Sequence, residues 1–140
     1  MHTIKLFQMH TIILYTTKEV MLMNVYDFKV KARDGRDVEL KDFAGKVLLI
    51  VNTATECGFT PQYTDLQNMY AELHEQGLEI LDFPCNQFYS QAPGNDEEIH
   101  TFCIGRFGVK FDQFSKVDVV GRFEPTADSS LVRDLVLKTL

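Results

Sequence analysis

Tryptophan is absent from the 140 residues. Also absent is any apolar run near the roughly 18 residues that a membrane-crossing helix needs, so no membrane span or membrane partner is expected. No basic run occurs either. Fourteen Lys and Arg against 20 Asp and Glu leave a net charge of −6, and an acidic chain of this kind is a poor partner for nucleic acid or an anionic membrane surface. Cysteine is scarce and oddly counted: Cys57, Cys85 and Cys103 form no Cys-X-X-Cys pair. That argues against a secreted disulfide framework or a zinc knuckle, and for reactive or buried thiols in a reducing compartment, the cytoplasm. His74 and His100 show no ligand spacing with a carboxylate or thiol, so neither a metal nor a cofactor is expected.

What is present is a soluble globular balance, 45% apolar and 24% charged, at a length suited to one domain with a sizeable core. The opening is unusual, since Met-His-Thr-Ile occurs twice, from Met1 and from Met9. Its short apolar run and the polar residues 16–19 do not fit a signal peptide. Residues 1–22 read as an extension of uncertain structure and 23–140 as the domain. Residues 11–16, rich in β-branched side chains, offer a first strand as the alternative.

From Met23 onward strands and helices alternate. Residues 26–32 and 36–40 flank Asp34-Gly35, a hairpin turn signal. Residues 46–52 form a continuous apolar run, as in a strand covered on both faces. Thr60-Pro61 reads as an N-cap followed by proline at the first helical position. Leu66, Met69, Tyr70 and Leu73 then share one helical face, and Gly77 ends the helix. With residues 78–83 as the next buried strand, a strand–helix–strand unit with two parallel strands follows. Asn95-Asp-Glu-Glu98 is a capping box opening a short helix with Ile99, Phe102 and Cys103 inside. Residues 114–119 are a further strand, and Asp128 or Ser129 caps a last helix carrying Leu131, Leu135 and Val136. The class is α/β.

In open α/β sheets chemistry gathers beyond the carboxyl ends of the parallel strands. Cys57 sits there, between the strand ending at Asn52 and the helix beginning at Thr60. Unpaired N–H groups and the positive end of the helix dipole favour the thiolate, whereas the neighbouring Glu56 opposes it. A reactive thiol and an inert buried one both remain open on position alone. Thr60 stands where a redox pair would place its second cysteine, which leaves one-cysteine chemistry: attack on a peroxide to give sulfenic acid, then reduction by another thiol.

Two long segments carry a resemblance. Val51-Asn-Thr-Ala-Thr-Glu-Cys-Gly-Phe-Thr-Pro-Gln-Tyr63 looks like the active-site segment of the glutathione peroxidase family, and Asp82-Phe-Pro-Cys-Asn-Gln-Phe-Tyr-Ser-Gln-Ala-Pro-Gly94 is similar to its second signature. Tyr26-Asp-Phe28, residues 46–52 and residues 114–119 also fit, so the likeness runs from Met23 to Gly121. It implies a thioredoxin-like fold, with a mixed central sheet flanked by helices, and a thiol peroxidase acting on hydrogen peroxide or organic hydroperoxides. By that resemblance Cys57 is the peroxidatic cysteine, and Gln91 is the glutamine whose side-chain amide donates to the reacting sulfur and oxygens. Cys103 is similar to the resolving cysteine of the thioredoxin-dependent members; core packing is the other reading of it. Cys85 is expected to pack at a strand end. The partners implied are the hydroperoxide and either thioredoxin or glutathione, with the chain a monomer or homodimer.

The family pattern continues into a segment containing Trp-Asn-Phe, whose Trp and Asn complete the donor set. Here Val117-Asp-Val-Val-Gly121 runs directly into Arg122-Phe-Glu-Pro125, so a helix–strand segment is lacking after Gly121. Either the segment is deleted from the chain, or it is missing from the sequence. A spacing far above the 3.80 Å between consecutive Cα atoms at residues 120–122 would mark the second case. A true deletion favours a non-enzymatic redox sensor or an inactive remnant over the peroxidase; a buried, unreactive Cys57 would leave a structural domain. Residues 53–63 and 84–94 hold no Lys or Arg to meet the two carboxylates of glutathione. That absence leads to the expectation of thioredoxin as reductant, with Cys103 as second thiol.

Overall fold

Strand β3 (Val47–Thr53) and strand β4 (Leu78–Pro84) pair in parallel over their whole length, Val47 opposite Leu78 through Thr53 opposite Pro84. The computed structural model describes residues 25–118 and Leu137. Helix α1 (Gln62–Leu73) joins the two strands, as the apolar spacing predicts. The chain then passes through a 3-10 turn, His74–Gln76, to Gly77 at φ +107°, a left-handed position that glycine adopts without a Cβ clash. Strand β5 (Asp112–Gln113) adds to β4 in parallel, giving the order β3-β4-β5. Among the described residues β3 pairs only with β4.

Alternation along the strands explains why both read as continuous apolar runs. Leu49, Val51, Leu78 and Ile80 face α1 and helix α2 (Asp96–Phe107), packing with Tyr63, Leu66, Met69, Leu73, Ile99 and Cys103. Leu48, Leu81 and Phe83 face the other way and pack with Leu40 and Phe114 beneath an antiparallel hairpin, β1 (Lys29–Lys31) with β2 (Asp37–Glu39). Each face of the sheet therefore removes its own apolar surface from water, and each cluster stabilises the parallel pair independently.

Several expected boundaries move. The hairpin strands shorten because Val25–Asp27 and Leu40–Phe43 wind into 3-10 turns. Gly35, at φ +84°, closes the turn with its N–H donating to the carbonyl of Ala32 at 2.8 Å. Within the expected strand over 114–119, residues 114–118 are described and form no strand, and β5 lies just before them at Asp112–Gln113. From Phe114 the chain stays beside β4, the Phe114 N–H donating to the Asp82 carbonyl at 2.8 Å and the Val117 N–H to the Pro84 carbonyl at 2.9 Å. The Ser115 N–H donates to the Lys31 carbonyl at 3.0 Å, and Phe114 makes an isolated antiparallel bridge to Ala32. That bridge ties the hairpin to the parallel sheet. The capping box at Asn95 is present, with the Asn95 side chain accepting from the Glu98 N–H at 2.9 Å and the Glu98 carboxylate accepting from the Asn95 N–H at 2.7 Å. The helix it opens runs 12 residues rather than being short. The extension at residues 1–22, the junction at residues 120–122 and the last expected helix with Leu131, Leu135 and Val136 lie outside the described residues.

Candidate active site

Cys57 lies four residues beyond the carboxyl end of β3, in a turn stacked onto the start of α1. Successive hydrogen bonds build that turn: the Thr60 N–H donates to the Cys57 carbonyl at 3.0 Å, Gln62 to Phe59 at 2.9 Å, Tyr63 to Thr60 at 3.1 Å and Thr64 to Pro61 at 3.0 Å. Thr60 is not the helix cap that its position suggests. Pro61 occupies the cap, in a helical conformation and without a side-chain capping bond. The buried Thr60 hydroxyl instead donates to the Ala54 carbonyl at 2.8 Å and accepts from the Cys57 N–H at 2.9 Å. One side chain thus pins both ends of the loop that carries the thiol. The Cys57 sulfur is half-buried and accepts from the Phe59 N–H at 3.5 Å.

The second signature segment is stitched to this loop through its main chain. The Gln91 carbonyl accepts from the Glu56 N–H at 2.8 Å, one residue before the cysteine. The loop that brings Gln91 there folds back sharply. Tyr89 and Ser90 both take left-handed conformations, φ +52° and +54°, which cost non-glycine residues about 1–2 kcal/mol each. Two bonds hold it closed: the Gln91 N–H donates to the Phe88 carbonyl at 3.2 Å, and the Ala92 N–H donates to the Asn86 side chain at 3.0 Å. Sequence reasoning missed Asn86, Thr60 and the strained pair, because nothing in their residue types marks these roles. Backbone strain of this kind, persisting beside a half-exposed thiol, is what functional loops retain.

The other cysteines are placed elsewhere. Cys85 is buried at the end of β4, its N–H donating to the Thr53 carbonyl at 3.0 Å and its sulfur 3.9 Å from Gln87 Oε1. This is the packing position expected for it. Cys103 is fully buried on the inner side of α2. Burial pushes its thiol above the usual range, against the lowering effect of the Tyr63 and Gln113 side chains. All three cysteines are unpaired.

Beneath the site lies a buried polar cluster. Asp82 falls on the helix-facing side of β4, where Leu78 and Ile80 precede it and another apolar residue would continue the pattern. Its carboxylate accepts from the Thr53 hydroxyl at 2.6 Å, the Tyr63 hydroxyl at 3.0 Å and the Gln113 amide at 2.8 Å. Burial raises its pKa to about 6 against the lowering effect of those three donors. The sequence signal was available, since Asp82 is a lone carboxylate inside an apolar strand. Among the described residues no group of three or more His, Cys, Asp or Glu could hold a metal ion.

Chemically, the arrangement offers one half-buried thiol beyond a strand end, accepting from one backbone donor, and a second thiol sealed in the core. A family model described as glutathione peroxidase matches residues 25–127. A glutathione peroxidase homolog of Neisseria meningitidis serogroup B is 56% identical over 99 residues, covering 71% of this chain and 56% of the relative. A hydroperoxy fatty acid reductase of Synechocystis is 55% identical over 97 residues, 69% of this chain and 57% of that protein. The chain thus spans little more than half the length of these relatives. Among solved structures, the crystal structure of Trgpx in apo form superposes with a TM-score of 0.63 at 24% identity, covering 85% of this chain and 96% of that one. A thioredoxin family thiol:disulfide interchange protein from Chlorobium tepidum gives 0.60 at 11% identity, over 80% and 92%. These likenesses identify the α/β architecture as the thioredoxin-like fold.

Proposed function

The chain belongs to the glutathione peroxidase family, and on that premise we propose that it is a thiol peroxidase whose nucleophile is Cys57. In the first step the Cys57 thiolate attacks the terminal oxygen of a hydroperoxide. The O–O bond breaks, the sulfur becomes sulfenic acid, and the departing alkoxide or hydroxide takes a proton to leave as alcohol or water. Negative charge develops on that departing oxygen, and the Gln91 side-chain amide is the donor assigned to stabilise it. The observation that supports this reading is the stitch between the two signature loops, Glu56 N–H to the Gln91 carbonyl at 2.8 Å. It ties the main chain at Gln91 to the residue that precedes Cys57.

In the second step the Cys103 thiol attacks the sulfenic sulfur. A disulfide forms, and the hydroxyl leaves with the thiol proton as water. A dithiol reductant of the thioredoxin type then exchanges its own thiols for that disulfide. Cys103 is sealed under α2, so the step requires α2 to open, because a disulfide needs its Cα atoms within about 7 Å. The absence of Lys and Arg from both signature segments favours thioredoxin over the doubly anionic glutathione. The three unpaired cysteines suit a reducing compartment, and the cytoplasm is the proposed location. Steady-state peroxide consumption with each reductant tests the reading. Thioredoxin is expected to support the higher rate, and Cys103→Ser to abolish that rate while sparing the first oxidation. Glutathione outperforming thioredoxin, or an unaffected Cys103→Ser variant, would overturn the two-cysteine cycle.

A second reading rests on the absence of Trp from the sequence. With the donors of the Trp-Asn segment lacking, Cys57 would oxidise but turn over slowly, and the chain would act as a redox sensor. Turnover no faster than spontaneous thiol oxidation in the presence of excess thioredoxin would favour it.

A further inference from the structure

Gln113, on β5, joins two other elements, β4 and α2. Its Nε2 donates to Asp82 Oδ2 on β4 at 2.8 Å, and its Oε1 lies 2.8 Å from His100 Nδ1 on α2. Cys103 follows one helical turn beyond His100 on the same helix. The carboxylate settles which way the amide points. A flipped amide would aim its oxygen at Asp82, acceptor against acceptor, so the Nε2 hydrogens belong to Asp82 and the oxygen is left for α2. With that oxygen facing it, His100 Nδ1 is the nitrogen that carries the hydrogen.

The rest of the helix is held at both ends, and at its C-terminal end Phe107 stacks on Tyr63 at 5.4 Å between ring centroids while the Gly108 N–H donates to the Cys103 and Ile104 carbonyls. The first turn of the helix is secured by the capping box, by the Lys116 N–H donating to Asp96 at 3.0 Å and by the Arg33–Glu97 ion pair. Only Ile99 and Cys103 are buried along its length. Gly105 lies in its last turn, where a Cβ would meet nothing within 4 Å. No close approach calls for glycine at that position, and its effect is to make the turn beyond Cys103 easier to unwind.

We infer that Gln113, oriented by Asp82, is a positioning residue that latches α2 through His100 and sets how often the helix opens to release Cys103. The inference rests on the reading of Cys103 as the resolving thiol. Cys57, Thr60 and Gln91 lie outside the latch, so the first oxidation is independent of it.

Native-state hydrogen exchange of the reduced full-length protein, alongside stopped-flow measurement of disulfide formation after a peroxide pulse, tests the latch. His100→Ala and Gln113→Ala should each speed exchange of the α2 amides roughly fivefold, the worth of one lost hydrogen bond, while the α1 and β3 amides keep their protection. Ala is the better helix former, so faster exchange in His100→Ala reports a lost latch and not lost helicity. Gly105→Ala should slow α2 exchange by up to roughly fivefold. Disulfide formation should follow exchange in all three variants, with the rate of Cys57 oxidation unchanged. Unaltered α2 exchange in both latch variants overturns the inference, as does loss of protection shared equally by α1 and β3, or a disulfide rate that ignores α2 exchange. If exchange responds but no Cys57–Cys103 disulfide forms in any variant, the two-cysteine reading fails while the latch stands.

Discussion

The Thr60 hydroxyl and the Cys57 main-chain nitrogen lie 2.9 Å apart, and the same hydroxyl donates to the Ala54 carbonyl at 2.8 Å. A residue that looks like a helix cap thus holds the shape of the loop bearing the thiol. Thr60→Val keeps the shape of the side chain and removes both bonds, leaving a donor and an acceptor unpaired. We expect a loss of about 1–3 kcal/mol in stability and slower oxidation of Cys57. Thr60→Ser should restore both. Urea unfolding and stopped-flow oxidation check this; a Thr60→Val variant with wild-type values would show the hydroxyl to be dispensable.

Gln91 contributes to the loop through its carbonyl and is assigned to the chemistry through its side chain. Gln91→Ala removes only the latter, since the bond from the Glu56 N–H to the carbonyl survives truncation. The expected result is an intact fold, read by thermal unfolding, and oxidation of Cys57 slowed by up to about 10²–10³-fold. An unchanged second-order rate would remove Gln91 from the site.

Asp82 makes a prediction of unusual sign. Its folded pKa, raised to about 6 by burial, lies above the unfolded value of about 3.9. Between those values the native state holds the extra proton, so stability falls as pH rises through the window. It falls by up to about 3 kcal/mol from this group alone. Below the window both states are protonated and the group contributes nothing to the slope. Urea unfolding from pH 4 to pH 7 should therefore show a smaller decline in Asp82→Asn than in the wild type. Equal slopes in the two proteins would contradict the raised pKa.

Much of the fold was legible because apolar periodicity and turn residues act locally. The buried runs became β3 and β4, the 3.6-residue spacing became α1, and Asn95 with Glu98 formed the capping box. The misplaced pieces are those decided by distant partners. The composition of residues 114–119 suggests a strand, yet beyond Phe114 the main-chain donors divide between Lys31 in the hairpin and Pro84 in β4. Thr60 has the position of a cap, yet Ala54 and Cys57 take its hydroxyl. For the candidate site, Cys57 stands out by its place between strand and helix, and Gln91 only by the resemblance of its surrounding segment. The latch residues escaped because Gln113 and His100, thirteen positions apart, meet only when α2 packs back onto the sheet.

The central claim is that Cys57 is the nucleophile. Its most direct test is the rate at which hydrogen peroxide oxidises the reduced protein, followed by trapping sulfenic acid with dimedone and locating the adduct by mass spectrometry. Wild type and Cys85→Ser should react at similar rates and carry the adduct on Cys57. Cys57→Ser should neither carry an adduct nor consume peroxide when thioredoxin is supplied. Peroxide consumption retained in Cys57→Ser, or an adduct found on Cys85 or Cys103 instead, would contradict the account.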